Sequence, residues 1–472
     1  MLKNQIAGVV LVLCALTCQA QSPADELARV LRDKQVITSA EFDRVIGAGA
    51  NGVQQLAAIL RDKGIISATD AAGLHAAPAV APAPISTAAA AAPKAEAAPS
   101  PKLKFNGTLL FNAYFNSAGT NNADFPGFAT PRTAGPQENF GATARQTRLG
   151  LSISDLKAGN AKLSAVVEAD FFGGDPALAN GVNMDILRLR LAYGRLQWDR
   201  FAIQAGQDWS IFAPLNPTSF AEFSIPEFSG SGNLWIRTPQ IRAEWNGKFA
   251  HDRTLLWQVA AVNPDIGDNL AAYSTVRQPR AGELGRLPAV ETRLALSSPV
   301  LDRTATLGFS GHWGTAKNTA VTNGIAATRD FQSWGAAVDY NLPLGRFVTL
   351  SGEAFAGRAL GIFSGGIGQT VLPIGQPGDR GVGTRGGWAQ VSLQLSRRWQ
   401  SNTAYGIDAP EIGNVPGGGR SKNQSYMSNI IFHLSPNVAF ALEWHRFLTN
   451  YRNQPASNNI GDHFNLGAAY TF

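Results

Sequence analysis

From Leu103 to Phe472 the hydrophobic and polar positions alternate with period two, in segments of about ten residues, the length of one bilayer crossing by a tilted strand. In the first segment Leu103, Phe105, Leu109, Phe111, Ala113 and Phe115 share one face, while Lys104, Asn106, Thr108, Asn112 and Asn116 share the other. In the last, Phe464, Leu466, Ala468, Tyr470 and Phe472 alternate with Asn465, Gly467, Ala469 and Thr471. Fourteen further segments of this kind lie near 144–154, 161–172, 185–196, 199–207, 234–246, 254–263, 289–298, 304–315, 330–341, 347–357, 385–397, 399–408, 425–434 and 438–448. Sixteen strands are therefore expected. Short turns (155–160, 247–253, 299–303, 342–346, 435–437) alternate with long loops (117–143, 208–233, 264–288, 358–384, 409–424). That asymmetry suits a closed barrel with one set of loops facing the cell exterior, and it does not suit a soluble sandwich or propeller.

Ahead of the strands the pattern is different. Residues 21–75 hold a repeat offset by 29 positions, Leu27 to Thr38 recurring as Leu56 to Ser67. Leu27, Val30 and Leu31 have helical spacing, and Thr38 with Glu41 and Ser67 with Asp70 resemble capping boxes. A small helical periplasmic module is expected, serving as a spacer or as a binding unit. Residues 76–101 are almost only alanine and proline, an extended tether. Residues 1–20 have the form of an export signal: Lys3, an apolar stretch from Ile6 to Leu16, and small residues at Cys18 and Ala20 before Gln21.

Composition strengthens the barrel reading. Only 16% of the 472 residues are charged, against roughly a quarter in soluble domains, and 49 are glycine. After the export segment no apolar run approaches the ~20 residues of a membrane helix. Both cysteines, Cys14 and Cys18, lie in that segment, so the remaining chain has no disulfide, thiolate metal site or cysteine nucleophile. Tryptophans 198, 235, 245, 257, 313, 399 and 444 near strand ends fit interfacial girdles. The architecture expected is all-β: a 16-stranded antiparallel transmembrane barrel over 102–472 in the bacterial outer membrane, in contact with lipid and lipopolysaccharide.

Strand parity points Arg148, Glu168, Asp170, Arg188, Arg190, Arg242 and Glu244 into the lumen, with Glu291, Arg293, Glu353, Glu443 and His445 elsewhere on the wall. These residues form either an ion ladder that stiffens the barrel or a cationic track for anions. Net charge is +6, and residues 1–101 hold 8 basic and 8 acidic residues, so the excess belongs to the barrel. The loop 208–233, with Asp208, Trp209, Phe212, Glu222 and Glu227, is too apolar for an exposed loop. It is expected to fold inward and constrict the pore, with Asp208, Glu222 and Glu227 facing the arginines, or to pack at a subunit interface.

A family resemblance rests on these segments. Gly206-Gln207-Asp208-Trp209-Ser210-Ile211-Phe212 resembles the "GQ-x-W-S-x-F" stretch of DcaP-type trimeric outer-membrane porins. Arg145 to Gly150, Glu168 to Gly173, Leu187 to Gly194 and Ile236 to Arg242 are similar to further segments of that family in the same order. The resemblance covers 103–246, with phosphate-selective porins as relatives of similar layout. It implies a sixteen-stranded homotrimer that passes small anionic solutes. Residues 21–75 depart from the heptad coiled coil usual at the N-terminus of that family.

Enzyme chemistry finds little support. Ser310 and His312 are a close Ser/His pair, and they share a strand face as lumen filler. No nucleophile elbow, phosphate loop or zinc-spaced pair occurs, and Gly365-Gly366-Ile367-Gly368 reads as loop flexibility. No catalytic residue, cofactor, metal or nucleic-acid partner is expected. The expected function is a passive porin for small hydrophilic, preferentially anionic solutes. A transporter of hydrophobic compounds, or a structural or adhesive barrel, is the alternative.

Overall fold

A computed structural model describes residues 28–29, 31–34, 36–48, 51–64, 101–174, 185–249, 252–267, 278–322, 325–454 and 459–472. The export signal, the second capping box and the tether up to residue 100 lie outside the described residues. The chain divides into two units, 1–95 and 96–472.

In the first unit, α1 (Ser39–Gly47) and α2 (Gly52–Asp62) pack through Val45, Leu56 and Ile59 on a small core with Ala28 and Ile37. Thr38 caps α1: its hydroxyl accepts the Glu41 N–H, and the Glu41 carboxylate accepts the Thr38 N–H. That backbone N–H holds the Glu41 carboxyl below its ordinary value.

The second unit is one closed antiparallel sheet. Its strands are β1 (Lys102–Asn116), β2 (Asn139–Thr143), β3 (Arg148–Ala158), β4 (Ala161–Asp170), β5 (Arg188–Gln197), β6 (Phe201–Trp209), β7 (Arg237–Lys248), β8 (Thr254–Val262) and β9 (Ala289–Val300). It continues through β10 (Arg303–Thr322), β11 (Ile325–Pro343), β12 (Val348–Arg358), β13 (Gly383–Gln394), β14 (Trp399–Pro410), β15 (Arg420–His433), β16 (Val438–Tyr451) and β17 (Asn459–Thr471). From β3 to β17 each strand pairs with the next, and β17 closes on β1 with Phe111 opposite Ala468. One end of β1 pairs with β2 and the other with β3, so those two short strands form a single interrupted stave. The barrel has sixteen staves. Closure leaves no unpaired sheet edge, the condition for backbone in hydrocarbon.

Side-chain burial follows the alternation. Phe105, Phe111, Leu294, Phe309, Leu442, Phe464 and Leu466 are exposed on the outer face, while Asn112, Asn116, Glu291, Asn402 and Asn465 are buried on the inner one. Trp245, Trp257, Trp313 and Trp399 are exposed on the outer face. Trp235 is not part of a girdle: it lies in the loop 210–236, where its indole N–H donates to Ser229 Oγ at 2.6 Å and its ring meets Trp209.

β10 and β11 are longer than their apolar alternation. They pair from Thr306 opposite Asn341 to Thr322 opposite Ile325, well past the expected ends at 315 and 330. The added pairs include Lys317 with Asp330, bridged at 2.6 Å. The hairpin continues as sheet beyond the apolar band, where the outer face is free to be polar.

Candidate functional site

Loop 210–236 leaves β6 at Trp209, crosses the lumen and rejoins the wall at Arg237, the residue opposite Trp209. A chain segment buried inside a barrel must find partners for its backbone N–H and C=O groups. The wall supplies them according to charge. Glu291 on β9 accepts the Ile211 N–H at 3.1 Å and the Ser210 hydroxyl at 2.8 Å. Glu353 on β12 accepts the Leu215 N–H at 2.6 Å. Glu443 on β16 accepts the Phe220 N–H at 2.9 Å and the Ser219 hydroxyl. Across the lumen the arginines donate, Arg148 to Phe223 O at 3.0 Å and Arg188, Arg190 and Arg237 to Ser224 O at 3.1, 3.2 and 3.3 Å, while Gln146 donates to Ala221 O at 2.6 Å and accepts the Phe223 and Ser224 N–H groups at 2.8 Å. Carboxylates only accept and guanidinium groups only donate, so acids hold the loop's N–H groups and arginines its carbonyls.

Packing completes the seat. Phe212 is fully buried with Leu234, Phe355, Leu360 and Phe363, and lies over Gly335, where a Cβ would come within 2.5 Å of its ring. Gly232 has φ +108° and presses on β13 and β14; a Cβ there would stand 2.2 Å from Gly387 O and 2.6 Å from Ile407 O. Gly232→Ala is therefore expected to cost about 1–3 kcal/mol of overpacking, besides the strain of a left-handed φ. A lower conversion temperature of the folded, detergent-resistant band on electrophoresis checks this. Gly365 to Gly368 also form packed structure: Ile367 is buried, and its N–H donates to Asp408 Oδ2 at 3.1 Å.

The arginines form one bank on β3 to β7. Arg188 meets Asp170 at 2.7 Å; Arg190 meets Glu168 at 2.6 Å and Asp170 at 2.7 Å; Arg148 lies 3.5 Å from Glu168. Arg148 and Arg188 keep part of their surface open, at 22% and 25% of side-chain area, whereas Arg190 is sealed at 0%. Arg237 stacks on Trp209 and Trp235, with its guanidinium carbon 4.6 and 5.1 Å from the ring centres, and no described carboxylate pairs with it. Four arginines thus face two carboxylates, a local excess of +2. Beside them Arg242 bridges Asp208 at 3.1 Å and Glu244 at 2.8 Å, and Arg195 meets Glu244 at 2.6 Å.

Two placements differ from the sequence-based expectation. Glu222 and Glu227 do not oppose the arginines. They are buried beside His445 of β16, with His445 Nδ1 3.1 Å from Glu227 Oε2. Burial, then the neighbouring Glu227, pushes the Glu222 carboxyl well above the ordinary range; burial raises that of Glu227 against the opposing His445. Arg237 and Gln146 were not among the expected site residues. Arg237 has the opposite parity to Arg242, and Gln146 sits in the break between β2 and β3, so strict alternation discards both. The aromatic residues Trp209 and Trp235 around Arg237 were the available signal.

Ser310 and His312 serve the seat. Ser310 Oγ accepts the Ala213 N–H at 3.2 Å, and the His312 ring packs 4.8 Å from that of Phe363.

No family model and no curated protein matches the chain. Among solved structures, the outer-membrane channel DcaP of Acinetobacter baumannii is similar with a TM-score of 0.58 at 18% identity, covering 79% of this chain and 98% of that one. OprB of Pseudomonas putida (TM-score 0.49, 10% identity, 78% and 94% covered) and the anion-selective porin of Comamonas acidovorans (0.47, 12%, 79% and 100%) are less similar. The closed barrel with its apolar exterior has the fold of a DcaP-type outer-membrane channel.

Proposed function

We propose that the chain is an outer-membrane porin for passive diffusion of small hydrophilic solutes, with a preference for anions. The observation that carries this reading is the lumen: a wall-anchored loop narrows it, and the bank facing that loop has more arginine than carboxylate. Arginine keeps its charge and offers a planar fork that matches carboxylate or phosphate. Several weak cationic positions let an anion enter and still leave. On the short-turn side of the loop a polar cavity of about 460 Å³ continues the path; its lining includes Arg303, Arg346 and Gln390 and no carboxylate. Partial pairing with Glu168 and Asp170 keeps the preference modest.

The working unit is proposed to be a homotrimer in lipid and lipopolysaccharide, as the resemblance implies, and the barrel is proposed to have no enzymatic role. Reconstitution into planar bilayers tests the reading. Stepwise conductance, commonly in threes, with a reversal potential of anionic sign in a salt gradient supports it. Silence at all voltages rejects the channel, and a cationic sign rejects the anion preference.

The N-terminal module is proposed to be a separate domain joined by a tether. Deleting residues 21–101 should leave a detergent-resistant barrel of unchanged conductance, because β1 begins at Lys102 and closes on β17. Loss of the assembled band in the truncated protein would assign the module to assembly instead.

A further inference from the structure

One group in the lumen stands apart from the arginine bank. Glu222 and Glu227 of the loop and His445 of β16 each bring a ligand-type atom to one point, all within 4.8 Å of one another and all three residues buried. Glu222 Oε1 and both oxygens of Glu227 are buried without a well-formed hydrogen bond, the Phe228 N–H being a nearby donor to Glu227. No described lysine or arginine pairs with either residue; Asp124, the next acid, is taken by Arg145.

The imidazole is held in one orientation. His445 Nε2 lies 2.7 Å from Glu443 Oε1, and Glu443 also accepts the Phe220 N–H at 2.9 Å and the Asn429 amide at 3.1 Å. An ionised carboxylate only accepts, so Nε2 carries a hydrogen, and Nδ1 faces Glu227 Oε2 across 3.1 Å. Two acceptor atoms at that distance need a proton or a metal ion between them. A histidine whose far nitrogen is fixed by a carboxylate is the usual outer support of a metal-binding imidazole.

We propose that Glu222, Glu227 and His445 Nδ1 hold one divalent cation of the zinc class, with Glu443 as the positioning residue. Two ligands about 2.0–2.1 Å from a tetrahedral zinc lie about 3.3 Å apart, close to the observed 3.1 Å. Calcium prefers a shell of oxygens alone, whereas an imidazole with two carboxylates suits zinc or its transition-metal neighbours. The ion ties two loop positions to one wall position. Between them lie Phe223 and Ser224, which the arginines hold from the other bank. The constriction is then clamped on both banks, by guanidinium groups on one and a metal on the other.

The test uses the full-length protein folded in detergent, loaded separately with zinc, cobalt or calcium and passed through gel filtration. Elemental analysis should find one equivalent of zinc per chain, little calcium, and almost no zinc in the double variant Glu222→Gln, Glu227→Gln. The cobalt-loaded wild type should show visible absorption bands of four-coordinate cobalt, a readout that holds even if the variant fails to fold. A wild type that retains no zinc and shows no cobalt bands overturns the proposal, because a proton on the cluster then does the work. Retention of calcium in place of zinc, or equal zinc in the folded double variant, overturns it as well.

Discussion

A barrel in which 211–235 is replaced by a short glycine–serine link should carry several-fold more current and lose its anion preference. The link closes a hairpin with no strain, because Ser210 N–H already donates to Ile236 O at 3.0 Å and Trp209 stands opposite Arg237. Every stave keeps its ladder, so the assembled barrel should survive. Conductance rises because the loop is what fills the cross-section. Selectivity changes for a second reason. Glu291, Glu353 and Glu443 now spend their negative charge on the loop's own N–H and hydroxyl groups. Without the loop, these three carboxylates face open water in the lumen, against an arginine excess of +2 on the other bank. The reversal potential should move in the cationic direction as conductance rises. A wide pore with undiminished anion preference would show that the selectivity lies outside the loop region, at Arg303 and Arg346 or in the external loops.

The same carboxylates show where a linear reading stops. Alternation placed Glu291, Glu353 and Glu443 on the lumen face, because an unpaired charge on the lipid side is costly. It said nothing about what they touch. Leu215 and Glu353, or Phe220 and Glu443, are far apart in the chain, and only closure of the barrel brings them together. Strand number was legible for the opposite reason: each stave repeats one local rule. That rule weakened where lipid no longer enforces it, at the polar extension of β10 and β11 beyond residue 315 and in the break before Arg148. The inward fold of 210–236 was legible in its aromatic content. Its charge sorting, and the meeting of Glu222 and Glu227 with His445, were not, since no spacing in the sequence links a loop to a distant strand. Arg237 was missed because strict alternation assigns its parity to the outer face, whereas at the first position of β7 it stacks on Trp209 and Trp235.

The arginine bank makes the second large prediction, and its design depends on which arginine is left alone. Arg190 is fully buried and holds both acids, Glu168 at 2.6 Å and Asp170 at 2.7 Å, together with Ser224 O. Removing it leaves Glu168 only Arg148 at 3.5 Å and takes one of two arginines from the buried Asp170, so the variant would test folding as well as permeation. Arg148 and Arg188 are partly open to the lumen, and each shares its acid with Arg190. In Arg148→Gln with Arg188→Gln both acids keep a partner, while the bank falls from +2 to neutral. The permeability ratio of chloride to potassium should drop toward unity with little change in conductance. Glu168→Gln changes the same bank the other way, to +3, and should raise the ratio. Both shifts should shrink as salt rises, since the screening length falls from about 10 Å at 0.1 M to about 3 Å at 1 M. Opposite shifts from neighbouring substitutions are the signature of a local charge balance. If the double arginine variant and Glu168→Gln move the ratio in the same direction, or not at all while the barrel stays assembled, these side chains stiffen the wall and the ions take another path.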